Sequence, residues 1–241
     1  MDTDKKNAKI VGVLFILAFA AGVLGLLLYD PIINGSGYLS EGSLHTNQVL
    51  LGALFELITV VAIVGTATTM FPILRRHNET VALWHLCFRF LEAIVITVGI
   101  ISVLALLTLS REYVSAGSLD SKAFRVSGTL LIAIKDWTFM MGPLFFLGIN
   151  TMMYSYIFYK SRLVPRFLSI LGITSSILVF SNGILVMFGV VDQISIWGLM
   201  ALPIAANEMI LAVWLIVKGF NRVDTRPIQP IILFRKPMEA G

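Results

Sequence analysis

Six long apolar runs, separated by short polar segments, dominate the pattern of this sequence. They lie near residues 10–28, 49–74, 83–109, 127–159, 167–188 and 196–219. A membrane-spanning helix needs about 20 consecutive apolar residues, and each run is close to or above that length. Backbone polar groups in lipid must be satisfied within the segment, so each run is predicted to be helical. The pattern predicts an all-α integral membrane bundle of six transmembrane helices, formed by a single domain over residues 1–220.

Three segments depart from this simple pattern. The run at 127–159 is too long for one membrane thickness, so we expect its helix to begin outside the bilayer and to enter near Trp137. The connector 29–48 is rich in Gly, Ser and Asn and is predicted to be solvated. The segment 221–241 is basic and contains three prolines, which disfavour a regular helix. We expect it to form a cytoplasmic tail, either resting on anionic headgroups or loose.

The distribution of lysine and arginine predicts the orientation of the bundle. If the N-terminus lies in the cytoplasm, thirteen basic residues fall on that side: Lys5, Lys6, Lys9, Arg75, Arg76, Lys160, Arg162, Arg166, Lys218, Arg222, Arg226, Arg235 and Lys236. Three fall in the outer loops: Arg111, Lys122 and Arg125. Cytoplasmic segments of membrane proteins carry the excess of basic residues, so both termini are predicted to face the cytoplasm.

The composition agrees with a membrane location and narrows the classes of function. Hydrophobic residues make up 57% and charged residues 13% of the chain, whereas a soluble domain carries about 25% charged residues. The net charge of +4 does not indicate a nucleic acid partner, because most basic residues flank apolar runs. Cys87 is the only cysteine, which excludes an internal disulfide. Its apolar surroundings predict an inert thiol in the core.

The third run carries the polar residues that we expect to form a site. His85, Arg89, Glu92, Ile96 and Gly99 follow the spacing of a single helix face. A charge at the centre of a membrane helix costs about 2.5–3.5 kcal/mol on insertion scales. This face is therefore predicted to point into the bundle rather than toward lipid.

Two other runs are predicted to bring polar side chains to the same depth. Counting from the cytoplasmic ends at about 1.5 Å per residue, Arg89 lies about 9 Å deep, Glu92 and Asn150 about 14 Å, and Glu208 about 16 Å. Arg89 can bond Glu92 on its own helix and retains donors for Glu208 or Asn150. We predict that these four residues form a ligand-binding cluster near the midplane.

Glu56, on the second run, is predicted to belong to the same ligand-binding set. Lys135 and Asp136 are expected to pair with each other at the outer rim. Glu56, Glu92 and Glu208 then face only Arg89, which leaves a charge of −2 if all three ionise. Such carboxylates must take up a proton, be hydrated or hold a cation, as in proton-coupled transporters. Protonated glutamates would equally serve as static polar links between helices.

No motif of an enzyme or of a cofactor site is present in the sequence. It contains no H-E-x-x-H, no G-x-S-x-G, no Walker loop and no dinucleotide glycine fingerprint. His45 and His77 fall between the apolar runs, so no pair of histidines within the membrane is left for a haem. We expect neither a cofactor nor a metal, and the sequence favours a non-enzymatic function.

Two stretches resemble a bacterial membrane family of unknown function, the domain-of-unknown-function family DUF-4386. They are Phe88-Arg89-Phe90-Leu91-Glu92-Ala93, and Glu208 followed by Trp214-Leu215 and Lys218-Gly219. The likeness covers about residues 8 to 220. It implies the six-span layout and the choice of Arg89, Glu92 and Glu208, and it implies no activity.

The sequence leaves two hypotheses for function in the cytoplasmic membrane of a bacterium. In the first, the multi-pass bundle binds or carries a small molecule, an ion or a proton at the Arg/Glu cluster. In the second, the cluster only fixes helix packing, and the protein is an interaction or sensor subunit whose loops and tail contact a partner membrane protein. The lipid bilayer is the expected environment in both, and a nucleic acid partner in neither.

Overall fold

The computed structural model describes residues 3–35, 37–117, 121–190 and 197–221. Within these residues, eight α-helices follow one another along the chain: α1 Thr3–Leu28, α2 Asp30–Ile33, α3 Thr46–Leu74, α4 Glu79–Ser115, α5 Ser121–Phe139, α6 Leu147–Ser161, α7 Arg166–Met187 and α8 Trp197–Val217. A 3-10 turn, Gly42–His45, precedes α3, and a π-helical segment, Met140–Phe146, joins α5 to α6. The predicted all-α class is confirmed, since no strand occurs in the described residues. Of the predicted tail, only Asn221 lies within the described residues.

Five helical segments of the described chain are long and apolar enough to cross a bilayer. They are Thr3–Leu28, Gly42–Leu74, Glu79–Ser115, Lys122–Ser161 and Arg166–Met187, and they coincide with the first five predicted runs. The described side chains of the sixth run form a shorter apolar helix, Leu202–Val217. The predicted membrane environment is therefore confirmed at the level of five candidate spans.

The fourth run forms one continuous helical segment that begins at Ser121 and contains a π-helical stretch. Pro143 lies within that stretch. A proline has no N–H to donate and its ring crowds the carbonyl group four residues earlier, and the wider π turn accommodates both effects. A π turn holds one residue more than an α turn, so side chains on α5 are rotated by about 100° relative to an uninterrupted α-helix.

The long helices are arranged in a closed ring that follows the order of the chain. α1 packs on α3, α3 on α4, α4 on α5 and α6, α6 on α7, and α7 on α8. The ring closes where α8 returns to α1. At this closure Gly12 lies so near α8 that a Cβ atom on it would be 2.6 Å from the carbonyl oxygen of Ala212.

Two apolar clusters fill opposite ends of the ring. One surrounds Tyr154 and includes Ala82 near the start of α4. The other surrounds Tyr29 and includes Ile100, farther along α4. Arg89 lies on α4 between Ala82 and Ile100. Packed apolar side chains therefore separate Arg89 and its polar neighbours on the inner face of α4 from both ends of the bundle.

Two predictions about individual segments are wrong. Cys87 is exposed on the outer face of α4 rather than buried in the core, because only one face of a long membrane helix points into the bundle. The connector 29–48 is not simply solvated, since Tyr29 and Ile32 are fully buried in it. Ser110, at the end of α4, donates a hydrogen bond to the carbonyl oxygen of Leu39 at 3.0 Å, which ties the connector to the bundle.

Candidate functional site

The polar face of α4 begins from a well-defined helix start. Asn78 caps the helix, its side-chain oxygen accepting a hydrogen bond from the backbone N–H of Val81 at 3.0 Å. From this start, the helical spacing places His85, Arg89 and Glu92 on the inner face, and all three side chains are buried. The face that the sequence predicted to point inward therefore does so.

Arg89, Glu92, Asn150 and Glu208, here called the Arg89 cluster, join α4, α6 and α8. The shortest bond is donated by the Asn150 amide nitrogen to Glu92 Oε2 at 2.7 Å. Arg89 Nη1 lies 3.3 and 3.4 Å from the two carboxylate oxygens of Glu92, and Arg89 Nη2 lies 3.6 Å from Glu208 Oε1. Charge-assisted bonds are usually about 2.7–2.9 Å long, so both ion pairs of Arg89 are loose.

Polar capacity remains unused within this cluster. Among the described residues, Arg89 Nε and Nη2 and the side-chain oxygen of Asn150 have no hydrogen-bond partner. Arg89 and Glu92 are each 3% exposed, whereas the Glu208 side chain is 13% exposed. Glu208 is therefore the most accessible charged group of the Arg89 cluster.

Aromatic rings cover the Arg89 cluster toward the start of α4. The guanidinium carbon of Arg89 lies 6.0 Å from the centre of the Phe15 ring. Tyr154 makes edge-to-face contacts with Phe15 and with His85, at 6.2 and 5.8 Å between ring centres. The face of an aromatic ring attracts a cation, so Phe15 contributes to holding the buried guanidinium group.

Glu56 does not join the Arg89 cluster but pairs with Lys135 on α5. Lys135 Nζ donates to the two carboxylate oxygens of Glu56 at 2.8 and 3.0 Å, and both residues are buried. The Lys135 Nζ atom also lies 5.1 Å from the centre of the Tyr29 ring. The predicted Lys135–Asp136 pair is wrong: adjacent residues of a helix point in different directions, and Asp136 is exposed.

Gly99 provides the space for this second ion pair. A Cβ atom at Gly99 would lie 2.7 Å from Thr138 Oγ1 and 3.4 Å from Lys135 Cδ. The absence of a side chain on α4 thus lets α5 approach closely and bring Lys135 to Glu56. A small residue at the outer end of the polar face indicates that another helix can approach closely there, but it does not identify that helix.

The pairing of Glu56 with Lys135 changes the predicted charge balance. The Glu56–Lys135 pair is neutral when both groups are ionised. The Arg89 cluster then holds one arginine against Glu92 and Glu208, which leaves a charge of −1 rather than the predicted −2. The unbalanced charge belongs to the Arg89 cluster alone.

A cleft within the ring connects the two charged groups. Its larger part has a cavity volume of about 180 Å³, is partly open, and reaches Arg89, Glu92 and Glu208. Its smaller part has a cavity volume of about 70 Å³ and reaches Glu56 and Lys135. Both parts are lined by Gly22, Leu26, Thr59, Ile96, Phe139 and Pro143. We call the whole space the central cleft.

Asn207 faces away from the Arg89 cluster although it precedes Glu208. A Cβ atom on Gly172 of α7 would lie 3.1 Å from the Asn207 amide nitrogen and in contact with Ser155 Oγ. Asn207 therefore belongs to the contact of α6, α7 and α8. In the described residues, no group of three or more His, Cys, Asp or Glu side chains is arranged to hold a metal ion.

Comparison with known proteins gives one match. The chain matches the family described as a domain of unknown function, DUF4386, over residues 10–219. No curated protein and no solved structure is similar enough to the chain to match it. The predicted resemblance to this family is confirmed, with almost the same limits.

Proposed function

The chain belongs to the family DUF4386, whose description assigns no activity, so we propose a function from the site alone. We propose that the protein is a non-enzymatic membrane bundle that binds or carries a small molecule, an ion or a proton at the Arg89 cluster. The observation that carries this proposal is the accessible, unbalanced carboxylate of Glu208 at one end of the central cleft. Glu92 and Asn150 support it by fixing the position of Arg89.

The energetics of a buried charge support a binding role. An ionised carboxylate is strongly disfavoured in a low dielectric unless a proton, a cation or hydrogen-bond donors compensate it. Glu92 has Asn150 and Arg89 as partners, whereas Glu208 has Arg89 alone among the described residues, at 3.6 Å. A cationic species or a proton at Glu208 would restore neutrality to the Arg89 cluster.

The proposed membrane arrangement follows from the charges that flank the helices. We propose six spans, with α8 as the sixth, because α8 packs along both α1 and α7 and is apolar. The excess of basic residues on one side supports cytoplasmic termini and a bacterial cytoplasmic membrane as the location. In this orientation the Arg89 cluster lies nearer the cytoplasm and the Glu56–Lys135 pair nearer the outside.

A second candidate function is an interaction or sensor subunit in which the cluster has a structural role. The observation that favours it is the 2.7 Å bond between Asn150 and Glu92, which links α6 to α4 without a ligand. The ion pair of Arg89 with Glu208 adds a link to α8. In this case a partner membrane protein, rather than a small molecule, would be bound.

The two candidates differ in the response of Glu92→Gln. We would purify the wild type, Glu92→Gln and the control Glu112→Gln in lipid, Glu112 being an exposed glutamate on the same helix. Native mass spectrometry would detect a retained small molecule or ion. The melting temperature measured across a pH range would detect a bound proton.

A binding function predicts that the wild type and Glu112→Gln share a retained species, or a pH-dependent step in melting temperature, that Glu92→Gln lacks. A structural role predicts that Arg89→Leu and Glu92→Gln each lower the melting temperature and that the double variant recovers part of the loss. The binding proposal fails if the wild type and Glu92→Gln retain nothing and show the same dependence of melting temperature on pH.

A further inference from the structure

The two carboxylates of the Arg89 cluster differ in how much of their bonding capacity is used. Glu92 accepts hydrogen bonds from Asn150 and from Arg89. Glu208 has only the 3.6 Å contact with Arg89 Nη2 in the described part of the chain. An ionised carboxylate offers about four acceptor positions. Glu208 is therefore the carboxylate of the Arg89 cluster with the capacity to bind a further positive charge.

The central cleft next to Glu208 is apolar over most of its length. Phe15, Phe19, Ile63, Ile96 and Leu147 line its larger part. Gly99 follows Glu92 on α4 by seven positions, so the two charged groups are about 10 Å apart along the helix at about 1.5 Å per residue. A ligand that fills this part of the cleft would contact apolar side chains, which cannot replace its hydration shell. The body of the ligand must therefore be apolar.

The size of the cleft favours an organic molecule over a bare ion. Small-molecule sites typically enclose about 300–1,000 Å³ and are lined mainly by apolar and aromatic groups. The larger part of the cleft has a volume of about 180 Å³ and is partly open. This volume is below that range but close to the volume of about 150 Å³ that holds a benzene molecule in an apolar cavity. Phe19 is 42% exposed and offers an aromatic face within it, which suits a cationic group as well as hydrocarbon.

An anion would be poorly accommodated in the same place. Arg89 already faces two carboxylates, and Lys135 is bonded by Glu56 at 2.8 Å. A bound anion would raise the charge of the Arg89 cluster from −1 to −2 in a low dielectric, where repulsion between like charges is strong. A cation would bring it to zero.

We infer that the central cleft binds an organic cation with an apolar body, its positive centre against Glu208 and its body along the aromatic and aliphatic wall. This inference rests on the proposed binding function and names the ligand class for that site. The ligand reaches neutrality with Glu208, while Arg89 and Glu92 remain paired with each other. Phe15 and Phe19 of α1 form the side of the cleft that contacts the body.

The test uses two probes of similar shape and opposite charge, each with a single phenyl ring that matches the volume of the cleft: phenyltrimethylammonium and benzenesulfonate. Binding to the protein in nanodiscs is measured by equilibrium dialysis, with empty nanodiscs as the reference for partition into lipid. The variants are Glu208→Gln, which removes the charge and keeps the shape, and Glu112→Gln as the matched control on an exposed glutamate. We expect saturable binding of phenyltrimethylammonium to the wild type and to Glu112→Gln, and binding at least about tenfold weaker to Glu208→Gln.

A second pair of variants tests the cleft without touching a charge. Val23 lines the cleft, whereas Leu24, its neighbour on α1, is similarly exposed and does not line it. Val23→Trp should fill the cleft and weaken binding of phenyltrimethylammonium at least about tenfold, and Leu24→Trp should leave it unchanged. This pair keeps the inference testable if Glu208→Gln does not fold.

Several outcomes would overturn the inference. One is saturable binding of benzenesulfonate that equals or exceeds that of the cation. The others are cation binding that is the same in Glu208→Gln as in the wild type, and no saturable cation binding at all. If a retained native molecule is lost in Glu92→Gln while phenyltrimethylammonium does not bind, the ligand class is wrong and the binding function stands. If neither probe nor a native species binds, both fail.

Discussion

Replacement of Lys135 by methionine should destabilise the bundle strongly, because it leaves Glu56 as a buried carboxylate without its partner. The ammonium group lies 2.8 and 3.0 Å from the two oxygens of Glu56, and both residues are 5% exposed. Removal of one partner from a buried ion pair costs about 3–5 kcal/mol. Interhelical hydrogen bonds in membranes are weaker, at most about 1.7 kcal/mol, so we expect a loss near the lower limit, about 3 kcal/mol.

The free energy of unfolding would be measured by reversible denaturation in mixed micelles or bicelles. The double variant Lys135→Met with Glu56→Met should recover to within about 1 kcal/mol of the wild type, because apolar side chains of similar volume can replace a buried pair.

Lys122→Met is the matched control, because Lys122 is an exposed lysine on the same helix. Its effect should stay within about 0.5 kcal/mol. The reasoning is refuted if Lys135→Met changes stability no more than Lys122→Met does, or if the double variant is as unstable as the single one. Either result would mean that the Glu56–Lys135 pair does not hold α3 to α5.

The remaining predictions concern the Arg89 cluster and the orientation. Asn150→Ala removes the donor that lies 2.7 Å from Glu92. It should lower the free energy of unfolding by about 1–2 kcal/mol in the same denaturation assay. A variant as stable as the wild type would contradict a bond between α4 and α6. The orientation would be tested with single cysteines in a Cys87→Ser background. Asn34→Cys should react with an impermeant maleimide in intact cells, whereas Glu79→Cys should react only after the membrane is opened. The reverse pattern would invert the proposed topology.

The apolar runs predicted the helices well, because length and composition alone determine whether a segment can span a bilayer. The inward face of α4 was also predictable, since the spacing of Arg89 and Glu92 admits only one face that avoids lipid. The meeting of these residues with Asn150 and Glu208 followed from depth along each helix, which depends on residue count and not on rotation.

The partner of Lys135 could not be found in the same way. Which of two adjacent residues on a helix faces inward depends on rotation, and the π-helical segment changes that rotation by about 100° for every residue of α5. The close approach at Gly99 depends on the position of α5 against α4, which no local pattern encodes. The sequence therefore suggested a pair between the neighbours Lys135 and Asp136, whereas the structure pairs Lys135 with Glu56.

The closure of the ring between α1 and α8 has a consequence for biosynthesis. α1 ends at Leu28 and α8 begins at Trp197, so at about 5–20 residues per second a ribosome needs about 10–30 s to supply the last partner of the first helix. By the end of that interval Arg89 and Glu92 have both been synthesised as a neutral pair on α4, and Glu208 is still missing. The newly inserted chain therefore assembles while the charges on α4 are balanced. The last helix, α8, adds the unbalanced carboxylate of Glu208 when it closes the ring.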